Sequence, residues 1–101
     1  MATEQTPAAD ITDNDQPWAS YMRELGITLN RARHNAGFSQ ERLAHMAGLT
    51  RHHYQQLEKG ESRPGRPANP GLRHIMALAQ ALGIDLGALL PQPMPDVTEG
   101  R

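Results

Sequence analysis

The sequence contains no cysteine, and only 4% of its 101 residues are aromatic. Without thiols the chain can form no disulfide, no thiolate zinc site and no cysteine nucleophile, which fits a reducing cytosol. So few aromatics disfavour a β-sandwich and suit a compact helical unit built on leucine, alanine and methionine. No apolar stretch approaches the ~20 residues that cross a bilayer. The first seventeen residues, MATEQTPAADITDNDQP, lack the basic start and apolar run of a secretory signal. A cytoplasmic location away from membranes is expected. No glycine-rich phosphate loop follows a strand, and no spacing sets a nucleophile beside a base, so catalysis is not expected. No histidine has a second histidine four residues on, and adjacent His52 and His53 diverge by ~100° on a helix, so neither a metal site nor a cofactor is expected.

The formal net charge of −1 conceals an uneven distribution. Glu4, Asp10, Asp13 and Asp15 crowd the start, with no base among them. From Trp18 to Leu90 nine bases face five acids, and all five histidines fall there too. A basic middle between acidic ends points to an anionic partner. The length supports one domain. Residues 1–16 read as a disordered acidic arm, 17–90 as the folded unit, and 91–101, with three prolines in their first five positions, as a flexible tail.

Within the folded part, periodicity and punctuation predict five helices. The first begins near Pro17 with Asp15 as cap, carries the stripe Trp18, Met22, Leu25, Leu29, Ala32 and Ala36, and ends at Gly37. Gly26 interrupts it at a cost of ~1 kcal/mol relative to alanine. Ser39 caps a second helix bearing Leu43, Ala44 and Ala47 and stopped by Gly48. Thr50 caps a third, Arg51 to Lys59, closed by Gly60, whose only apolar residues are Tyr54 and Leu57. Residues 61–69 read as a loop. Asn69 and Pro70 open a fourth helix with the stripe Leu72, Ile75, Met76, Ala79 and Leu82. Asp85 caps a short fifth bearing Leu86, Leu89 and Leu90, a first guess for a dimer surface. Met22, Met46 and Met76 read as core filler. Trp18 either staples the first helix to the domain or lies in a dimer contact.

Two short helices joined by a glycine-containing turn read as a helix-turn-helix. Close crossing needs a small residue in the first helix (Ala44), the turn needs positive φ (Gly48), and apolar residues must anchor the pair (Leu43, Ala47, Leu49, Tyr54 and Leu57). Seven agreeing positions across residues 40–59 make a strong signal.

The stretch SQERLAHMAGLTRHHYQQLEKG, within Leu29–Leu90, resembles the phage-repressor or Cro-like helix-turn-helix family, also called the xenobiotic-response-element type. The resemblance implies an all-α, five-helix DNA-binding domain with the helix-turn-helix at helices 2 and 3. It implies a bacterial transcription regulator, a repressor in the first instance, binding double-stranded DNA as a homodimer. By the same resemblance the third helix enters the major groove and reads bases with Thr50, Arg51, His52, Gln55 and Gln56. Gln40, Lys59, Arg63 and Arg66 are placed to contact phosphates. Arg33 and Glu58 match an architectural ion pair. Tyr54 departs from the family, which favours Ile or Val there, so its hydroxyl needs a partner. The loop after Gly60 is also longer than in many members. A different class of function, an antitoxin or co-regulator using the same fold for protein interaction, is the alternative.

Overall fold

A computed structural model describes residues 7–98. The elements in chain order are α1 (Pro7–Ala36), α2 (Gln40–Met46), α3 (Arg51–Lys59), β1 (Glu61–Arg63), β2 (Arg66–Pro67), α4 (Leu72–Leu82) and α5 (Leu86–Leu89). The fold is all-α with one small ribbon. Long α1 packs chiefly on α3, and α2 bridges α3 and α4. Between them lies a core of Met22, Leu25, Leu29, Leu43, Tyr54, Leu57, Leu78 and Leu89, all nearly or fully buried.

Local chemistry explains the punctuation between these helices. Ser39 Oγ accepts from the Arg42 amide at 3.0 Å, and Thr50 Oγ1 accepts from the His53 amide at 3.0 Å, each capping a helix start. Gly48 takes φ +76° in the turn between α2 and α3, where the Leu49 amide donates to the Ala44 carbonyl at 2.8 Å. Gly60 closes α3 at φ +78°, and a Cβ there would lie 2.9 Å from the Arg23 backbone of α1.

Several expectations are corrected. The first helix starts at Pro7 rather than Pro17, so Asp15 lies inside it and is not its cap. Proline suits the first helical position at Pro7 as well as it would at Pro17, and Pro17 forgoes one intrahelical bond. Helix α1 thus reaches into the stretch read as an acidic arm; residues 1–6 and 99–101 lie outside the described residues. Residues 61–67 form an antiparallel ribbon rather than a loop. Its tip is Pro64-Gly65, the pair favoured at the centre of a type II turn, with Gly65 at φ +80°. Gly71, not Asn69, is the N-cap of α4, extended at φ −72° and ψ 154°, so Pro70 lies before the helix and not at its first position. Asp85 holds the N-cap position of α5, but its side chain accepts no capping bond.

The buried face of α4 is Ile75, Leu78 and Ala79, whereas Leu72 and Met76 are exposed. An apolar helix of this composition allows two phases of the stripe, and packing selects one. Met46 is likewise exposed, so of the three methionines only Met22 fills the core. Leu89 is fully buried, which removes it from any dimer surface. Trp18 is a staple: its Nε1 donates to the Ala68 carbonyl at 2.9 Å, and its ring stacks on Tyr21.

Candidate nucleic-acid interface

The polar helix α3 is held by one side only. Tyr54 and Leu57 point into the core, while Arg51, His52 and Lys59 are exposed and Gln55 and Gln56 half-buried. At 100° per residue the outward set spans one continuous face, opposite the anchors. The cap residue Thr50 is exposed at its start. His53 falls at the edge, edge-to-face with His74 of α4 at 5.1 Å between ring centres. His34 and His45 are ordinary exposed residues.

The inner end of α3 is fixed by Glu58, which gathers donors from three helices. Arg33 Nε donates to Glu58 Oε2 at 2.7 Å, Asn30 Nδ2 to Oε1 at 3.1 Å and Gln40 Nε2 to Oε1 at 2.9 Å. The Tyr54 hydroxyl donates to Oε2, which supplies the partner its burial demands. Arg33 Nη1 also donates to the Phe38 carbonyl at 3.0 Å, tying in the α1–α2 connection. Burial opposes ionisation of Glu58, but the hydrogen bonds from Arg33, Tyr54, Gln40 and Asn30 outweigh it and hold the pKa at about 2. Burial, followed by the bond and charge of Glu58, raises the Tyr54 pKa well above the usual phenol value. The carboxylate is ionised and the phenol neutral throughout the physiological range.

The network therefore holds more than the Arg33–Glu58 pair. The Tyr54–Glu58 contact was readable as an i, i+4 pair on one helix. No local spacing signals Asn30 or Gln40, because each reaches Glu58 across the tertiary fold. Gln40 is turned inward by this bond, which leaves one hydrogen of its amide for an outside partner. It lines an open concavity with Arg33, Ser39, Glu41 and Arg51. Gln56 is also engaged, its amide donating to the Ser62 carbonyl of β1. Arg51, His52, Gln55 and Lys59 are thus free of side-chain partners among the described residues, whereas Gln40 and Gln56 are pre-oriented. Arg63 and Arg66 are exposed on the ribbon.

Close crossing of α1 and α3 rests on Gly26. A Cβ there would lie 2.3 Å from the Glu58 carbonyl oxygen and 2.8 Å from that of Leu57. A glycine that looked like a mid-helix weakness is what permits the contact. Among the described residues no helix is long and apolar enough to cross a membrane.

A short helix anchored by two core residues, with a free polar face and a glycine turn before it, defines the helix-turn-helix class of DNA-binding regulators. The helix-turn-helix domain family model matches residues 24–91, and the chain belongs to this family, in its Cro-like, xenobiotic-response-element branch. The chain is similar to the restriction-modification controller protein C.AhdI from Aeromonas hydrophila, at 33% identity and a TM-score of 0.61, over 68% of this chain and 96% of that one. No curated protein matches the chain.

Proposed function

We propose that this chain is a sequence-specific transcription regulator, acting as a repressor, that binds double-stranded DNA as a homodimer with α3 in the major groove. The observation that carries the reading is the outward face of Arg51, His52, Gln55 and Lys59, held rigid from behind by Tyr54, Leu57 and the Glu58 network. The similarity to a controller protein supports control of transcription. Arg51 suits bidentate contact with guanine O6 and N7, and Gln55 with adenine N6 and N7. Thr50 and His52 flank them at the N-terminal end, where recognition helices meet bases. Gln40 and Lys59 fit the phosphate backbone beside the groove. Because one short helix reads few base pairs, two copies would span half-sites about 34 Å apart. The role is non-enzymatic, cytoplasmic and independent of a cofactor.

Selection of duplexes from a random pool, followed by quantitative gel shift on the recovered sequence, tests this. Arg51→Ala is expected to weaken binding by roughly 1–3 kcal/mol and to relax selection at one base position. Unchanged affinity and selection would remove Arg51 from the readers. Lys59→Ala is expected to weaken all sequences alike and to lower the slope of log affinity against log salt by about one. A sequence-dependent loss would place Lys59 among the readers instead.

A further inference from the structure

Among the described residues the exposed large apolar side chains are Ile27, Met46, Leu72, Met76, Met94 and Val97. All but Ile27 gather in two places. Met46 at the end of α2 and Leu72 and Met76, one turn apart on α4, line an open concavity of about 750 Å³. Arg73 and His74 line it as well, and no acid does, so its charge is positive. Met94 and Val97, 65% and 62% exposed, stand on the segment that follows α5. Pro91, Pro93 and Pro95 keep that segment out of a helix and favour extended backbone. In a polyproline II conformation, with three residues per turn, Met94 and Val97 share one edge ~9 Å apart. Asp96 adjoins that edge. Its Oδ1 accepts from the Thr98 amide at 3.0 Å and from the Thr98 hydroxyl at 2.6 Å, which fixes where the negative charge lies. The family model ends at residue 91, so the segment is no part of the shared fold.

We infer that residues 91–98 of one copy seat Met94 and Val97 in the α2–α4 concavity of a second copy, with Asp96 toward Arg73, and that the exchange is reciprocal. The inference rests on the homodimer proposed above and names the contact that holds it. Seat and segment are complementary: apolar side chains meet apolar side chains, an anion meets a cation, and a slender extended chain meets a groove. Neither is covered within one chain. Helix α5 packs on α4 and α1, and the segment leaves it without lining the concavity. Each chain carries one seat and one segment, so two copies satisfy both and close with two-fold symmetry. A one-way contact would instead leave a seat open for further copies. The flexible thioethers of Met46 and Met76 adapt to a guest without repacking the core. A proline-rich segment is already extended, so seating it costs little conformational entropy.

Sedimentation equilibrium of the full chain over a dilution series measures the pairing. M94S/V97S and L72S/M76S should each weaken self-association roughly tenfold or more. The variant carrying all four substitutions should pair no more weakly than either, because both pairs remove the same contact. All four residues are exposed within one chain, and an unchanged circular dichroism spectrum would confirm folding. The absence of native cysteine makes disulfide trapping a second, independent readout. Chains carrying M76C, mixed with chains carrying M94C and mildly oxidised, should yield a dimer joined between positions 76 and 94. If M76C/M94C closes that bond within single chains and the mixture yields no such dimer, the segment covers its own concavity and the inference is overturned. Undiminished pairing of both serine variants would also overturn it, leaving a homodimer held by another surface. A full chain that stays monomeric at every concentration, on or off DNA, would overturn the homodimer reading and this inference with it.

Discussion

Replacing Glu58 by alanine is expected to lower the unfolding free energy by about 3–5 kcal/mol, a large share of the 5–15 kcal/mol typical of a domain. The substitution leaves the Arg33 guanidinium, in a residue only 8% exposed, without its counter-charge. It also orphans the Tyr54 hydroxyl, in a residue with no exposed surface, and frees the inward-turned amides of Asn30 and Gln40. Unpaired buried charge, rather than loss of one bond, dominates the effect. The pH dependence carries a matching signature. Glu58 titrates at about 2 in the folded protein against an ordinary value of 4.5. Its ionised form therefore contributes fully above pH 4.5, and the contribution is lost as pH falls toward 2. The difference between wild type and E58A should narrow across that window, leaving below it only what the neutral carboxyl contributes by packing and hydrogen bonding. Urea unfolding at several pH values measures both effects. A neutral-pH difference under 1 kcal/mol, or one independent of acid, would show that the carboxylate is not the hub of the fold.

Gly26→Ala is expected to destabilise the protein by roughly 1–3 kcal/mol and to impair DNA binding with it, although helix propensity alone favours alanine by ~1 kcal/mol. The sign is decided by what the new methyl group would meet. A Cβ 2.3 Å from the Glu58 carbonyl oxygen overlaps backbone, which cannot swing aside as a side chain would. Relief requires α1 and α3 to separate, and that movement loosens the Glu58 network and shifts α3. Gly87, in α5, supplies the contrast, because a Cβ there meets nothing within 4 Å. Gly87→Ala should be neutral or stabilising by up to ~1 kcal/mol. Thermal or urea unfolding of the two variants gives the comparison. Equal gains in both would mean that α1 and α3 do not cross as closely as described.

Much of this arrangement was legible along the chain. Ser39, Thr50, Gly48 and Gly60 mark the ends of α2 and α3 because capping and positive φ are demands of the local backbone, satisfied within three or four residues. The polar run around Tyr54 and Leu57 identified the outward helix by the same kind of local reasoning. The ribbon was missed because ESR and RP lack the apolar alternation that signals paired strands; only the Pro-Gly tip hinted at it. The start of α1 was misplaced because two prolines, Pro7 and Pro17, each satisfy the rule for a first helical position.

Local spacing determined which segments are helical, where they stop and which short helix is too polar for a core. Three matters were left to the tertiary structure: the phase of the α4 stripe, the need for Gly26, and the convergence of Asn30, Arg33 and Gln40 on Glu58. The physical reason is that each depends on atoms distant in sequence brought within a few ångströms. Sequence spacing constrains a helix's neighbours along the chain, whereas steric exclusion and buried charge act between helices once they have packed.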